Sequence, residues 1–245
     1  MSRALPDNAP TEERLGGLRQ AYAGLDGPDL LRPLLGHVFA GEIALVSSFG
    51  AESAVLLHMV AGIDRSTPVL FVDTGMLFPE TLAYRDALIG ELGLTDVRTI
   101  RPLPAHERDF DPDGTLHGTH PEVCCFFRKV VPLRKALNPF SAWISGRKRH
   151  HGAERSELPT LERDGRHIKI NPLVDWDGDA LEAYRLEHDL PAHPLVAEGY
   201  ASIGCRPCTT PVAPGEDPRA GRWRGRDKTE CGIHFVDGKA VRSAA

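Results

Sequence analysis

The five cysteines of this chain are the residues whose type and spacing most clearly predict chemistry. Cys124 and Cys125 are adjacent, Cys205 and Cys208 form a CxxC pair, and Cys231 stands alone near the C-terminus. Two pairs brought together would supply four thiolates, the full ligand set of an iron-sulfur cluster or of an all-cysteine zinc site. The fifth thiol is then spare, and neighbouring cations could lower its pKa and make it a nucleophile.

Other arrangements of the cysteines are less consistent with their spacing. Buried structural cysteines do not usually come as two close pairs. A disulfide framework is disfavoured because residues 1–7 contain no apolar signal segment, which predicts a cytoplasmic protein with reduced thiols. Zinc is the main competitor, but adjacent residues rarely converge on one tetrahedral ion, whereas a cubane cluster offers them separate iron corners. The pattern therefore favours a cluster and leaves zinc open.

The charge distribution indicates a small anionic ligand. The chain has 245 residues, 41% of them hydrophobic, and a net charge of −5. It has no apolar run of about 18 residues, so no membrane span is predicted. Yet residues 128–149 contain seven Lys or Arg and no Asp or Glu, and residues 219–228 form a second cationic segment. Both segments flank cysteines, which favours a polyanionic small molecule over nucleic acid.

The elements that must position these residues alternate between strand and helix. Apolar runs predict strands at 43–47, 68–72, 96–100 and 142–145, and helices at 52–60, 80–92 and 122–136, the last with a kink at Pro132. Asp164-Gly165 predicts a hairpin. This rhythm predicts an α/β fold with an open, mostly parallel twisted sheet and flanking helices.

Three regions are expected along the chain. Residues 1–41 would form two N-terminal helices, at 11–23 and 29–40. Residues 42–208 would form the nucleotide- and cluster-binding α/β domain. Residues 209–245 are rich in Pro and Gly, which predicts an irregular, mobile C-terminal segment that carries Cys231.

Two polar loops follow the first two predicted strands. One is Ser47-Ser48-Phe49-Gly50-Ala51-Glu52-Ser53, which runs directly into a helix, and the other is Val72-Asp73-Thr74-Gly75. Ligands of open α/β sheets bind beyond the carboxyl ends of the strands, and a helix N-terminus attracts anions. Neither loop is a Walker A or GxGxxG element, so the pair of loops predicts a nucleotide site of another type.

These motifs together resemble the assimilatory sulfonucleotide reductases, and among them the adenylyl-sulfate (APS) reductases that carry a 4Fe-4S cluster. The resemblance spans roughly residues 40–235 and includes both loops, Cys124-Cys125 with Arg128-Lys129, Trp143-Ile144-Ser145-Gly146, the CxxC pair, Gly221-Arg222-Trp223 and Glu230-Cys231-Gly232-Ile233-His234. It implies an adenine nucleotide alpha-hydrolase-like fold, in agreement with the predicted strand and helix order.

The resemblance also implies roles for particular residues. Cys231 would attack the sulfur of APS and expel AMP, and reduced thioredoxin, glutaredoxin or glutathione would then release sulfite. The cluster ligands would be Cys124, Cys125, Cys205 and Cys208. Lys129 would assist at the reacting centre, and His234 would orient Cys231 or contact the ligand. The substrate-binding residues would be Ser47, Ser48, Phe49, Gly50, Glu52, Ser53, Asp73, Thr74, Gly75, Gly146, Arg149, Arg219 and Arg222, whereas Arg147 is expected to matter much less.

Other functions remain open at this stage. A reductase of the 3'-phosphorylated analogue PAPS, or of both nucleotides, is the nearest alternative. A more remote one is an iron-sulfur, ATP-dependent tRNA sulfurtransferase, against which the acidic net charge and the missing SGGxDS motif both count. A zinc-stabilised nucleic-acid-binding module is the third. The favoured interpretation predicts no nucleic-acid or membrane partner and is compatible with a homo-oligomer.

Overall fold

A six-stranded sheet with helices on both faces forms the centre of the protein in the computed structural model. The structure describes residues 12–150, 155–226, 228, 230, 232–233, 235–236 and 239–240. Cys231 and His234 lie outside the described residues. Within this part of the chain, no helix is both long enough and apolar enough to cross a membrane.

The sheet contains five parallel strands and one antiparallel edge strand. Its strands are β1 (Ile43–Ser47), β2 (Val69–Val72), β3 (Val97–Ile100), β4 (Ala142–Ile144), β5 (Leu161–Asp164) and β6 (His167–Ile170). They are arranged in the order β3-β2-β1-β4-β6-β5, and only β5 runs antiparallel to its neighbour. A separate two-stranded sheet pairs β7 (Phe235–Val236) with β8 (Lys239–Ala240).

The described helices mostly connect these strands. They are α1 (Glu12–Ala21), α2 (Gly27–Pro33), α3 (Ser53–Ala61), α4 (Pro79–Leu92), α5 (Pro104–Phe110), α6 (Leu116–Thr119), α7 (Pro121–Cys125), α8 (Val131–Leu137) and α9 (Gly178–Glu187). Two π-helical turns, Leu34–Val38 and Phe126–Val130, extend α2 and join α7 to α8. Short 3-10 turns occupy Pro194–Glu198 and Arg206–Cys208.

Each face of the sheet has its own hydrophobic core. The larger core joins alternate strand residues such as Leu45 and Phe71 to α1, α2, α3, α4 and α9. The smaller core packs Ala44, Leu70 and Trp143 against α8. Because successive side chains of a strand point to opposite faces, strands covered on both sides are apolar throughout, as β1 is in the sequence.

The helical run 121–137 changes its winding directly after the adjacent cysteines. The N–H of Val131 donates to the carbonyl of Phe126, five residues back, which defines the π turn. Pro132 follows this turn, and a proline ring in a regular helix would clash with the carbonyl four residues before it. The sequence predicted a kink at Pro132, and the structure contains the wide turn just before it.

The main α/β elements agree with the sequence expectations. Predicted strands 43–47, 68–72, 96–100 and 142–145 match β1 to β4 within one residue at each end. The hairpin is confirmed, although its two-residue turn is Gly165-Arg166, because Asp164 pairs with His167. Helices α5, α6 and α9 were not predicted. The N-terminal helices share the larger core with the sheet through Leu15, Leu30 and Phe39.

Residues 209–226 are irregular, as the Pro and Gly content from Thr209 onward predicted, and together with the CxxC turn they fold against the rest of the protein. Arg206 N donates to Met76 O at 2.8 Å, and Trp223 N donates to Cys208 O at 3.0 Å. Gly221 allows a close approach, since a Cβ at this position would overlap the carbonyl of Thr210. These contacts place the CxxC turn and residues 219–223 beside the loops that follow β1 and β2.

Candidate active site

A cleft of about 240 Å³ opens at the carboxyl ends of β1 and β4. These two strands are neighbours, but the chain leaves β1 toward β2 and β3 on one side, while β4 leads to β6 and β5 on the other. The loops after the two strands therefore diverge and leave a crevice between them, the usual ligand site of open α/β sheets. Ser47, Ser48, Ser145 and Gly146 line it.

The loop after β1 is shaped by a left-handed residue. Phe49 has φ of 49°, and its backbone N–H donates to the Ser47 hydroxyl at 3.2 Å. This conformation is costly for a residue with a side chain and persists only where packing fixes it. The Phe49 ring is fully buried against Phe71. The turn thereby brings Gly50 and Ser53, at the N-terminus of α3, to the wall of the cleft.

Basic side chains dominate the charge of the cleft. Two carboxylates, Glu52 and Glu230, lie among six cationic residues: Lys129, Arg147, Lys148, Arg155, Arg219 and Arg222. Cations fixed in a partly buried site attract an anionic ligand more strongly than exposed ones, because water screens them less. The cleft is suited to a small ligand with several negative charges.

Each cleft carboxylate is paired with a basic residue. Lys148 Nζ donates to Glu52 at 2.6 Å and to the Gly146 carbonyl at 3.1 Å. Burial lowers the pKa of Lys148, and Glu52 opposes that shift. Glu230 pairs with Arg155 at 2.5 Å and with Arg219 at 3.5 Å. Burial alone would raise the pKa of Glu230, but the two arginines hold it below its usual value.

Arg222 lies between the cleft and a second, smaller cavity. Its guanidinium stacks on the Trp223 ring at 4.4 Å from the ring centroid. It also fills the space beside Gly204, where a Cβ would come within 2.5 Å of Cζ. Trp223 has φ of 51° and is buried, and among the described residues its indole N–H has no hydrogen-bond partner.

The second cavity brings the four predicted ligand cysteines together. Cys124, Cys125, Cys205 and Cys208 all line it, and it shares Lys129, Arg222 and Trp223 with the cleft. The first two cysteines come from α7, and the other two come from the 3-10 turn that docks on the loop after β2 through a bridge between Leu77 and Cys205. Within the described residues, no set of three or more His, Cys, Asp or Glu is arranged to hold a single metal ion.

The thiols in this cavity differ in electrostatic environment. Burial raises the pKa of Cys124 to about 12, and Cys125 adds to the increase. Burial would also raise that of Cys205, but Lys129, Thr74 and Arg222 together bring its pKa below the usual value. The Thr74 hydroxyl lies 3.2 Å from Cys205 Sγ. The surroundings therefore favour the anionic form at Cys205 and disfavour it at Cys124, and also at Cys208, where burial raises the pKa.

Arg128 fixes the helix that carries the first cysteine pair. Its buried guanidinium pairs with Glu107 at 2.6 Å and Asp111 at 2.9 Å, and it donates to the Thr74 carbonyl at 2.9 Å. The residue thus joins the π turn to α5 and to the loop after β2. Because these three contacts hold the guanidinium on both sides, Arg128 keeps this wall of the cysteine cavity in place.

Several residues predicted to bind substrate lie elsewhere. Asp73 accepts hydrogen bonds from Gly75 N and from Arg101, outside the cleft. Thr74 faces the cysteine cavity, and Phe49 is in the core. Arg149 donates to Leu158 O and pairs with Asp175, also outside the cleft. Predicted residues that do line the cleft are Ser47, Ser48, Gly50, Glu52, Ser53, Lys129, Gly146, Arg219 and Arg222.

The structure adds four charged residues that were not among the predicted site residues. Arg147, Lys148 and Arg155 line the cleft, and Glu230 joins them from the C-terminal segment. Arg147 also lies 3.3 Å from Glu162, and its place in the cleft gives no support to the expectation that it matters much less than Lys129, Arg219 and Arg222. The sequence feature that could have identified Arg147 was its position directly after Gly146, in the loop that follows β4.

Comparison with known proteins agrees with this geometry. The family model described as phosphoadenosine phosphosulfate reductase domain matches residues 42–211. A protein of Mesorhizobium japonicum named adenosine 5'-phosphosulfate reductase is 50% identical over 91% of this chain and 87% of its own length. A protein of Gloeobacter violaceus named phosphoadenosine 5'-phosphosulfate reductase is 42% identical over 80% of this chain and 83% of its own.

Solved structures show the same fold. Phosphoadenylyl-sulfate reductase from Candida auris, in a phosphate complex, superposes with a TM-score of 0.67 at 24% identity, covering 86% of this chain and all of the other. Yeast FAD synthetase superposes with a TM-score of 0.53 at 17% identity, over 81% of this chain and 74% of the other. The adenine nucleotide alpha-hydrolase-like fold is confirmed. With more than half of its length matched by the family model and with relatives this similar, the chain belongs to the phosphoadenosine phosphosulfate reductase domain family.

Proposed function

We propose that the protein reduces adenylyl sulfate to sulfite and AMP, as a step of assimilatory sulfate reduction. The observation that carries this proposal is the continuity of the two cavities. A cationic cleft at the carboxyl ends of β1 and β4 shares a wall, made of Lys129, Arg222 and Trp223, with a cavity lined by four thiols. The relatives named adenosine 5'-phosphosulfate reductase support the same reaction.

Cys231 is the proposed nucleophile. Its thiolate attacks the sulfur of APS, the bond between that sulfur and the bridging oxygen breaks, and the electron pair leaves with AMP. The product on the enzyme is an S-sulfocysteine. This assignment is supported because the other four cysteines share one cavity, and because Glu230 and Ile233, close to Cys231 in sequence, line the cleft.

A dithiol completes the proposed cycle. One thiolate of reduced thioredoxin attacks Sγ of the S-sulfocysteine and releases sulfite, which leaves a mixed disulfide. The second thiol of the donor then attacks the donor sulfur of that disulfide and frees Cys231. The donor is oxidised to a disulfide while the transferred sulfur is reduced. Glutaredoxin or glutathione could serve in its place, and a reducing compartment such as the cytoplasm fits this chemistry.

The cleft cations stabilise the leaving group in this proposal. Negative charge grows on the bridging oxygen as AMP departs, and fixed donors aimed at that charge lower the barrier. Lys129, Arg219 and Arg222 keep their predicted role. Arg147, Lys148 and Arg155 take the place assigned to Arg149, because they line the cleft and Arg149 does not.

The donor set of the second cavity fits a 4Fe-4S cluster. Four thiols from two pairs line one cavity, and the buried indole N–H of Trp223, which has no partner among the described residues, could donate to an occupant of that cavity. Cys124, Cys125, Cys205 and Cys208 would hold the cluster, which when bound would add a fixed charge distribution beside Lys129. No step of the proposed reaction passes through it.

A sulfite-release assay tests the proposed function. Purified protein would be supplied with reduced thioredoxin and either APS or PAPS, and kcat/KM would be compared at equal reductant. We expect APS to be strongly preferred. An equal value, or a preference for PAPS, would favour the alternative carried by the Gloeobacter violaceus relative. No sulfite from either nucleotide would refute the reaction itself.

Gly204→Ala should reduce activity without unfolding the protein. The added Cβ would occupy the space of the Arg222 guanidinium, which is the end of a flexible side chain and can move away. We expect kcat/KM for APS to fall roughly 10- to 100-fold, about 1.4 to 2.7 kcal/mol. Thermal unfolding should change little. Gly178→Ala is a matched control, because a Cβ there meets no atom within 4 Å. Wild-type kcat/KM in Gly204→Ala would contradict the role of Arg222.

A further inference from the structure

The carboxylate of Glu230 is an unusual group to find in an anion-binding cleft. Its side chain is 17% exposed and lies among arginines that line the same cleft. Arg155 donates to Oε1 through Nε at 2.6 Å and approaches it through Nη2 at 2.5 Å, while Arg219 lies 3.5 Å from Oε2. A carboxylate here must repel an anionic substrate, so its presence calls for a compensating role.

The chain near Glu230 is fastened at two further points. The ammonium of Lys228 is 1% exposed, pairs with Glu122 at 2.5 Å and lies 5.4 Å from the centre of the Trp223 ring. Ile233 packs against the smaller hydrophobic core, beside Trp143. Lys228 and Ile233 therefore attach the segment to the cysteine-bearing helix and to the sheet. Of these three attachment points, Glu230 is the one whose partners, Arg155 and Arg219, line the cleft.

We propose that Glu230 is a positioning residue, which seats the C-terminal segment in the cleft through Arg155 and Arg219 so that Cys231 faces the bound substrate. The inference rests on the proposed function, because it concerns the thiol assigned there as the nucleophile. Two nitrogens of Arg155 contact one oxygen of the nearly buried carboxylate and Arg219 faces the other, so the two arginines fix its direction as well as its distance. Reactions between groups held in place gain greatly over reactions between groups that are free to move.

The role has an unusual kinetic signature. Removing the charge of Glu230 removes a like charge from an anion site, so ligand binding should tighten or stay the same. Weakening the contacts of Glu230 with Arg155 and Arg219 leaves Cys231 less firmly positioned, so the transfer of the sulfonate group to its thiolate should slow. A residue that only supports the fold would weaken both, whereas a substrate-binding residue would weaken binding.

Glu230→Gln tests this signature in the full-length protein with its metal content intact. The first-turnover rate of S-sulfocysteine formation would be measured by mass spectrometry after mixing with APS in the absence of reductant, and AMP affinity would be measured by calorimetry. We expect the rate to fall at least about tenfold, with AMP bound equally well or several-fold more tightly. Glu182→Gln, which removes a similar two-contact carboxylate–arginine pair from the exposed surface of α9, should change neither value.

Glu230→Asp separates the position of the carboxylate from its charge. The shorter side chain keeps the charge but draws the carboxylate away from Arg155, so the rate should fall while AMP affinity does not increase. A wild-type rate of adduct formation in both variants would overturn the proposal, and so would a parallel loss of AMP binding. If the wild-type protein itself forms no adduct on Cys231, the proposed function fails, and that result is distinct from failure at Glu230 alone.

Discussion

Cys231→Ser should abolish sulfite formation. A serine hydroxyl is not ionised near neutral pH and is a far weaker nucleophile than a thiolate, so we expect turnover to fall roughly 10⁴-fold or more. The other four cysteines share one cavity, which leaves this thiol for the chemistry. Sulfite release with APS and thioredoxin measures the effect, and AMP binding together with iron content shows whether the rest of the site is intact.

The wild-type protein provides the complementary measurement. With APS and no reductant, it should gain the mass of one sulfonate group, and peptide mapping should place that group on Cys231. An adduct on Cys124, Cys125, Cys205 or Cys208, or turnover by the serine variant, would show that the nucleophile is a different residue.

Cys205→Ser should remove the proposed cluster. Protein prepared anaerobically with iron available should be brown and contain about four irons per chain, and the variant should contain less than about one. Lys129, Thr74 and Arg222 lower the pKa of Cys205 and so favour its thiolate, the form that binds iron, so its loss should affect the site severely. Iron and zinc analysis, with the visible absorbance spectrum, measures the outcome.

Thr74→Val is the control for that experiment. It removes the hydroxyl 3.2 Å from Cys205 Sγ but keeps all four thiols and nearly the same volume. We expect iron to be retained, with stability lower by about 1 kcal/mol because the Met76 N–H also loses its acceptor. Stoichiometric zinc without iron in the wild-type protein would contradict the cluster and favour a structural zinc site.

Local patterns predicted the sheet because the signals lie within each element. The run 43–47 is apolar up to Val46 and leads through Ser47 and Ser48 to Gly50, which is enough to indicate a buried strand followed by a loop. The cysteine motifs are local signals too, because the spacing within 124–125 and within 205–208 is enough to predict two pairs. The sequence did not indicate that α5 would supply Glu107 and Asp111 to Arg128, because that contact depends on how α5 and the π turn pack together.

The site residues that sequence reasoning misplaced depend on contacts distant in the chain. Asp73 follows a strand, in one of the two loops expected to bind the ligand, but Arg101, directly after β3, engages its carboxylate. Three consecutive basic residues follow Gly146, and the contacts of Arg149 with Leu158, Val174 and Asp175 hold it outside the cleft. The sequence presents Glu230 only as a member of the motif around Cys231. Its role was not predicted because its partners, Arg155 and Arg219, lie 75 and 11 residues before it in the chain.

The π turn at Phe126–Val130 contains one residue more than a turn of regular helix, and this extra residue sets the direction in which Cys124 and Cys125 point relative to α8. In a regular helix each residue advances about 100° around the axis, whereas a π turn spreads one turn over one more residue, so winding these same residues as an ordinary helix would rotate α7 by about that angle relative to α8. Cys124 and Cys125 would then turn away from the cavity they share with Cys205 and Cys208. The chain keeps a locally weaker helix, and this irregularity is what allows one continuous helical run both to cover the sheet and to present two neighbouring thiols to the same cavity.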